Sequence, residues 1–369
     1  MTDRDYMLRA IELAKGGLGW TSPNPLVGAV IVKDGRIIGE GYHERCGELH
    51  AERNAIASLT ESAEGATLYV TLEPCCHYGK TPPCTEAILE QKIARVVIGS
   101  RDPNPLVAGK GAAILRAAGV RVEEDFMREE CDALNPVFFH YITKKTPYVV
   151  MKYAMTADGK IAARTGDSKW ITGESARKKV QELRHQYMGI MAGIGTVLAD
   201  DPMLNVRIPG LKSPVRIICD SGLRIPMDSK IVQTAKEYRT IVAYAGEHSG
   251  EGCKEAEEKE EQLHAAGVET VSVPDAAGRV DLRKLMEYLG KQGIDSVLLE
   301  GGGTLNDAAL SAGIVNEICA FIAPKIFGGA GAKTPVSGIG VAHPAEAVML
   351  TLRQMETIGD DLMLRYSVD

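Results

Sequence analysis

His50-Ala51-Glu52, then Glu73-Pro74-Cys75 behind the apolar run Thr67 to Leu72, then Pro82-Pro83-Cys84, form the stretch from which the rest of this chain is read. His50, Cys75 and Cys84 offer one imidazole nitrogen and two thiolate sulfurs, a soft donor set suited to Zn²⁺. Three protein ligands leave the fourth tetrahedral position open, which marks a catalytic zinc rather than a structural one. Glu52 is not needed as a ligand and is free to move protons. Residues two apart do not share a helix face, so His50 and Glu52 are expected where a helix is just starting. Other ligand sets can be drawn, because Cys46 lies near His43 and His50, and Cys76-His77 adjoins Cys75. Eight residues separate Cys75 from Cys84, a wider gap than the generic Pro-Cys-x-x-Cys.

Outward from this stretch, apolar periodicity predicts an α/β unit. Residues 3–16 read as an amphipathic helix with Met7, Ala10, Ile11 and Ala14 on one face. Leu26 to Val32 and Arg36 to Tyr42 read as two strands joined by a hairpin at Lys33-Asp34-Gly35. Asn24, in Ser22-Pro23-Asn24-Pro25, lies in a turn and could offer its amide to the edge of a heterocycle. A helix is expected from His50 to Leu59, and a strand from Thr67 to Leu72 that delivers Cys75 at its carboxyl end. Pro83 suits the first turn of a helix running from Cys84 to Gln91. A strand at Arg95 to Ile98, a helix near 110–118, a strand at Val120 to Val122 and one helix over about 126–142 complete the unit. The polar break Lys144-Lys145-Thr146-Pro147 is the expected boundary, giving domains at 1–145 and 147–369.

The second domain is again α/β. Strands are expected at Tyr148 to Met155, Ile190 to Ala192, Val215 to Cys219, Thr240 to Tyr244, Glu269 to Val273, Ser296 to Leu299, Ile318 to Ile322 and near Leu362 to Tyr366. A helix from Thr172 or Gly173 runs to about Tyr187, and the acidic run Glu255 to Glu261 reads as a solvated helix face. Gly193-Ile194-Gly195-Thr196 and Gly301-Gly302-Gly303-Thr304 each follow an apolar run, but neither completes Gly-x-Gly-x-x-Gly, and no P-loop is present. The second loop is read equally as a pyrophosphate site at a helix start or as a tight turn.

A chain of 369 residues exceeds the size of a single core. Its 45% apolar and 25% charged residues are those of a globular protein. A net charge of −7 counts against non-specific nucleic-acid binding, and no segment is long and apolar enough to span a membrane. The N-terminus lacks a signal-peptide pattern, and the eight cysteines form no small disulfide framework, so a cytoplasmic setting is expected.

His-x-Glu with Pro-Cys resembles the zinc-dependent deaminases, in which the metal generates hydroxide near neutral pH and a glutamate shuttles protons. The likeness is closer still to the bifunctional riboflavin-biosynthesis deaminase/reductase family, and it covers essentially the whole chain. Thr21 to Gly28, Gly47 to Glu52, and Thr71 to Cys84 with its long cysteine spacing resemble that family's deaminase motifs. Arg101 to Pro105 is similar to its substrate loop. Asp167 to Thr172, Gly193 to Val197 and Glu300 to Gly303 resemble its reductase motifs.

The resemblance implies a cytidine-deaminase-like three-layer domain followed by a dihydrofolate-reductase-like domain that binds NADPH without the Rossmann fingerprint. It implies deamination of 2,5-diamino-6-(5-phosphoribosylamino)pyrimidin-4-one with release of ammonia, then reduction of the ribosyl group to ribityl. No side chain donates hydride, so the second step requires a cofactor. By the same match, one Zn²⁺ per chain sits on His50, Cys75 and Cys84, with Glu52 catalytic. Asn24, His43, His77 and Lys80 line the deaminase pocket. Ala154, Trp170, Thr196, Asp200, Ser221, Gly302, Gly303 and Thr304 contact NADP. Ser168, Arg184, Leu204, Arg207 and Glu300 contact the reductase substrate. The expected partner is a small pyrimidine ribonucleotide, not nucleic acid or membrane, and the chain is expected to form a dimer or tetramer. For the 2′-phosphate of NADPH, Ser221 offers a hydroxyl. Arg224 is the nearest arginine, read equally as a phosphate contact or as a plain surface residue. The rival readings are a nucleic-acid base deaminase, and a binding protein stapled by zinc with a fourth ligand such as Cys46.

Overall fold

Thr2 and Asp5 open the chain with a reciprocal cap: each side chain accepts from the other's backbone N–H. The cap starts helix α1 (Asp3–Ala14), whose buried face is Tyr6, Met7, Ala10, Ile11 and Ala14. The computed structural model describes residues 1–78, 82–104, 107–246 and 253–369. Two compact units divide the chain, Met1–Lys145 and Thr146–Asp369.

In the first unit α1 is followed by strands β1 (Gly28–Lys33) and β2 (Arg36–Tyr42). Asp34 and Gly35 both adopt positive φ, at 49° and 74°, which closes the two-residue hairpin between them. Next come α2 (Ala51–Ala57), β3 (Thr67–Leu72), α3 (Cys84–Glu90), β4 (Arg95–Ser100), α4 (Lys110–Ala117) and β5 (Arg121–Glu123). Helices α5 (Arg128–Asp132) and α6 (Pro136–Lys144) end the unit. The sheet order is β2-β1-β3-β4-β5. The first two pairings are antiparallel and β3-β4-β5 is parallel, so β3 and β4 end at the same edge.

Alternation along these strands builds two cores. Ala29, Ile31, Leu68, Val70, Leu72, Val96 and Ile98 face one way, among Ala51, Ala55, Ile88, Ala112 and Leu115 of α2, α3 and α4. Val30, Val32, Tyr69 and Val97 face the other way, against α1 and Cys131 of α5. A fully buried aliphatic side chain such as Ile31 or Leu68 contributes about 1.5–3 kcal/mol. A strand buried on both faces reads as an unbroken apolar run, which is why these strands were visible in the sequence.

Two local expectations need correction. The single helix over 126–142 is instead α5 and α6, broken at Asn135-Pro136, because proline lacks the N–H to continue a helix. Asn135 turns its side chain to the backbone of Leu26, accepting from its N–H at 2.7 Å and donating to its carbonyl at 2.9 Å. Pro83 stands at the N-cap of α3, one residue before the first turn.

The second unit runs β6 (Tyr148–Thr156), α7 (Glu174–Gln186), β7 (Gly189–Gly193), α8 (Ile194–Asp200), β8 (Val215–Cys219), α9 (Lys230–Gln233) and β9 (Thr240–Tyr244). It continues with α10 (Cys253–Ala265), β10 (Val268–Ser272), α11 (Leu282–Lys291), β11 (Ser296–Leu299), α12 (Gly303–Ser311) and β12 (Val315–Ala323), and ends in the hairpin β13 (Leu350–Ile358) and β14 (Asp361–Val368). The nine-stranded sheet has the order β10-β9-β8-β7-β11-β6-β12-β14-β13 and is parallel from β10 to β12. Its two faces carry separate cores, one beneath α11 and α12, the other beneath α8, α9 and α10. β13 had no signal in the sequence: its first six residues are exposed, so no buried face imposes a period on it. Because β6, β7, β8 and β11 are parallel, the loops after them emerge along one edge.

The first unit holds both of its cores and all three candidate metal donors within Met1–Lys145. A chain ending at Lys145 is expected to fold alone, melt cooperatively and retain zinc. An insoluble fragment beside a soluble full-length protein would refute that separability.

Candidate active sites

At the first site, two helix starts and one strand end converge. His50 is the N-cap of α2, with extended φ −74° and ψ 163°, and Glu52 is already helical, as the two-residue spacing requires. Cys84 is the first residue of α3. Cys75 follows β3 and is placed by a second carboxylate: buried Glu73 accepts from the backbone N–H of Gly109 at 2.9 Å and of Ala112 at 3.3 Å, capping α4. Gly111 lets α4 approach this closely, since a Cβ there would stand 2.2 Å from the carbonyl oxygen of Pro74.

Both sulfurs, of Cys75 and of Cys84, lie 3.4 Å from Nδ1 of His50. Zn–N and Zn–S bonds of about 2.0 and 2.3 Å at tetrahedral angles separate such donors by about 3.5 Å, so the three atoms already stand at the edges of a zinc site. Among the described residues this is the one cluster of three or more metal-competent side chains, and neither Cys46 nor Cys76 belongs to it. Cys46 is exposed. The hydrogen bond from the Cys84 thiol, with help from His50, holds Cys75 at about 4, so a thiolate is favoured there even before a cation arrives. His50 is pushed up, first by its hydrogen bond to Cys75.

Glu52 is 3% exposed and sits against Cys84. Burial, reinforced by the charge of Cys75, raises its carboxyl pKa, and a raised carboxyl is suited to holding a proton and passing it on. Asn24 and His43 meet nearer His50: the amide Nδ2 of Asn24 lies 3.2 Å from Nε2 of His43. Nδ1 of His43 lies 2.9 Å from the carbonyl oxygen of Leu49, an acceptor, so Nδ1 carries the proton and Nε2 accepts from Asn24. Burial lowers the pKa of His43 and keeps it neutral. Its ring stands edge-on to that of His50, with centroids 5.4 Å apart. His77 is half-buried, and Lys80 lies outside the described residues. The sequence reading gave no separate role to Asp102. It is buried after β4 within electrostatic reach of His77 and Cys75, and burial pushes its pKa to about 6.

At the second site the loops of the parallel edge carry the candidate residues. Glu300, directly after β11, receives both ends of the Arg184 guanidinium, at 2.7 and 3.0 Å. Lys152 of β6 adds a third charge, with Nζ 3.6 Å from Glu300. All three side chains are nearly buried. Burial alone would raise Glu300, but Arg184 and Lys152 outweigh it and hold the carboxyl at about 2. Lys152 was missed; its signal was a lysine inside an otherwise apolar strand, Tyr148-Val149-Val150-Met151-Lys152.

Leu204 is buried in the core with φ 48°, so it offers backbone rather than side chain to any ligand, whereas Arg207 is exposed. Ser168 is half-buried, and Trp170 is 62% exposed with the Arg177 guanidinium 4.8 Å from its ring centre. Ala154 lies on β6, and Thr196 and Asp200 on α8. The hydroxyl of Ser221 accepts from the N–H of Val280 at 3.2 Å, and the exposed Arg224 faces the buried Asp220 at 3.6 Å. Gly302 is the N-cap of α12 with no side-chain cap, which leaves the amides of Gly303 and Thr304 to meet an anion. A Cβ at Gly303 would come within 2.7 Å of Ser337 Oγ and 2.8 Å of the Thr334 carbonyl. The loop is therefore narrow enough to require glycine and open enough at Gly302 for a phosphate.

Comparison with known proteins agrees with both halves. Residues 1–100 match the family described as the cytidine and deoxycytidylate deaminase zinc-binding region, and residues 147–364 match the RibD C-terminal domain. The riboflavin biosynthesis protein RibD of Actinobacillus pleuropneumoniae is 58% identical across 100% of this chain and 96% of its own length. That of Escherichia coli is 41% identical across 99% of each. Among solved structures, Acinetobacter baumannii RibD superposes with a TM-score of 0.87 at 38% identity, covering 100% and 99% of the two chains. A diaminohydroxyphosphoribosylaminopyrimidine deaminase/5-amino-6-(5-phosphoribosylamino)uracil reductase from Thermotoga maritima does so at 0.85 and 39%, covering 99% and 98%. Identity of this extent, end to end, leaves one conclusion: the chain belongs to the RibD family, the two-step deaminase/reductase enzymes of riboflavin biosynthesis.

Proposed function

We propose that the two sites act in sequence on one pyrimidine ribonucleotide, deaminating the ring at the first and reducing the ribosyl group at the second. The observation that carries the first step is the convergence of His50 and two cysteine sulfurs, 3.4 Å apart, beside a buried carboxylate. His50, Cys75 and Cys84 hold the metal. Bound there, Zn²⁺ supplies Lewis acidity and lowers the pKa of a water molecule. Glu52 takes a proton from the attacking water and delivers one to the departing amino group, which leaves as ammonia. Asn24 and His43 grip the ring's polar edge, with His43 presenting a fixed tautomer, while His77 and Lys80 complete the pocket.

In the second unit NADPH supplies the hydride for the reduction. The amides of Gly302, Gly303 and Thr304 receive its pyrophosphate. Ala154, Trp170, Thr196, Asp200 and Ser221 hold the rest of it along the same edge. Arg224, beside Ser221, reads the 2′-phosphate, because two negative charges there call for a cation. Ser168, Arg184, Leu204, Arg207 and Glu300 orient the ribosyl substrate, with the charged ends of Arg207 and Arg184 suited to its phosphate and hydroxyls.

The enzyme works in the cytoplasm as a homo-oligomer. β13 is the last strand of its sheet and exposes Leu350, Leu352 and Met355, with Val348 and Met349 before it, an apolar edge that a second copy would cover. Light scattering is expected to give a dimer or larger, reduced to monomer by Leu352→Lys with Met355→Glu. An unchanged mass for that double variant would remove β13 from the interface.

Glu52→Gln is expected to keep one zinc per chain yet lose ammonia release by about 10²–10⁴-fold, whereas Cys84→Ser loses most of the zinc. Metal analysis separates the two; zinc loss in Glu52→Gln would make the carboxylate a ligand. Arg224→Ala is expected to raise KM for NADPH about tenfold or more, as for a charge-assisted contact, and to leave NADH unaffected. An equal loss for both cofactors would assign Arg224 to folding instead.

A further inference from the structure

Cys84 is carried to the first site by a dipeptide that cannot be fastened through its amides. Pro82 and Pro83 precede it, neither has an N–H, and Pro83 stands at the N-cap of α3 with no side-chain cap. Their carbonyl groups remain, and both meet one side chain. Arg53 of α2 donates from Nε to the carbonyl of Pro82 at 3.2 Å and from Nη2 to that of Pro83 at 2.9 Å. A guanidinium is planar and presents its donors in a fixed fork, so the two bonds set the direction of the dipeptide as well as its distance. Arg53 lies in the first turn of α2, whose N-cap is His50, and the dipeptide it grips leads directly into Cys84. One side chain therefore ties the helix start that carries His50 and Glu52 to the helix start that carries Cys84.

Other contacts do different work. The Cys84 N–H donates to Cys75 Sγ at 3.3 Å and the Thr85 N–H to the Cys75 carbonyl at 3.2 Å, which joins α3 to the residue after β3. Ala51, Ala55 and Ile88 place α2 and α3 in one core, so the helices fold side by side with or without Arg53. Arg53 is half-buried and Pro82 exposed, a setting in which a substitution changes folding stability little. What the two bonds add is alignment, with the Cys84 sulfur 3.4 Å from Nδ1 of His50. A shift of about half an ångström is small for packed helices but large beside the roughly 0.2 Å tolerance of a metal–ligand bond. We infer that Arg53 is a positioning residue of the zinc site, holding the Pro82-Pro83 segment so that the Cys84 sulfur stays in register with His50 and Cys75. The inference rests on the reading of His50, Cys75 and Cys84 as the zinc ligands.

Arg53 also lies within electrostatic reach of His50. Its charge alone would act with the opposite sign, since a cation near the site repels Zn²⁺ and its removal would tighten binding. The direction of the effect therefore separates alignment from charge.

The test challenges full-length, zinc-loaded enzyme with excess chelator and follows zinc release, beside melting curves taken with and without zinc. Arg53→Ala is expected to release zinc about tenfold faster, the lower end of what partners behind metal ligands contribute. The zinc-free variant should melt at the wild-type temperature, so that only the rise in melting temperature on adding zinc shrinks. Arg53→Lys keeps the charge but replaces the fork with a single ammonium, and its release rate should fall between the two. The lysine variant carries the test if the alanine variant does not fold. NADPH oxidation with the deaminated substrate should be unchanged in both.

Zinc release at the wild-type rate or slower, in either variant, overturns the inference. Equal falls in the melting temperatures of the zinc-free and zinc-loaded forms would make Arg53 a folding residue and overturn it as well. Cys84→Ser is the control. If it loses zinc while Arg53→Ala holds it, the inference fails and the ligand assignment stands; if Cys84→Ser also keeps its zinc, the ligand assignment itself fails.

Discussion

The first site depends on how closely a helix can approach the end of a strand. Cys75 leaves β3 directly after Glu73-Pro74, and that dipeptide is pinned by α4, whose first amides donate to the Glu73 carboxylate. Only with glycine at position 111 can the helix come this near, since a Cβ would overlap the carbonyl of Pro74. With Cys75 fixed, the starts of α2 and α3 need only meet it, and His50 and Cys84 occupy those starts. The cost of bringing two sulfurs and an imidazole together is met by core packing of Ala51, Ala55 and Ile88 beneath them, so the donors are preorganised for a cation.

The second site obeys a related constraint with different chemistry. A buried carboxylate at the end of β11 would be costly alone. Arg184 from α7 and Lys152 from β6 compensate it, and the resulting triad links three separate elements along the carboxyl edge. The same edge carries the uncapped start of α12 and the turn after β8. The parallel strand order brings these loops together along one edge.

Much of this was legible in the sequence because chemistry and periodicity coincided. The donor types at His50, Cys75 and Cys84 announce a metal, and the two-residue spacing to Glu52 places both at a helix start. Strands such as Thr240 to Tyr244 and Ser296 to Leu299 are mostly apolar runs with sharp ends, and their limits match the structure. What could not be read depends on distant partners. The cap of α4 by Glu73 spans 36 residues. The pairing of Asn135 with Leu26 spans 109, and it helps explain why α5 and α6 are separate. Lys152 looked like an interruption in a strand until Glu300 stood opposite it. β13 was invisible because exposed strands carry no hydrophobic period.

The central claim, that one chain performs both steps in order, has a direct measurement. Purified zinc-loaded enzyme is mixed with 2,5-diamino-6-(5-phosphoribosylamino)pyrimidin-4-one and excess NADPH, and ammonia and NADPH are followed together through one turnover. Ammonia should appear first, NADPH oxidation should follow after a lag, and the two should finish at one equivalent each. NADPH consumption with no ammonia released, or ammonia release with no later oxidation of NADPH, would contradict the account.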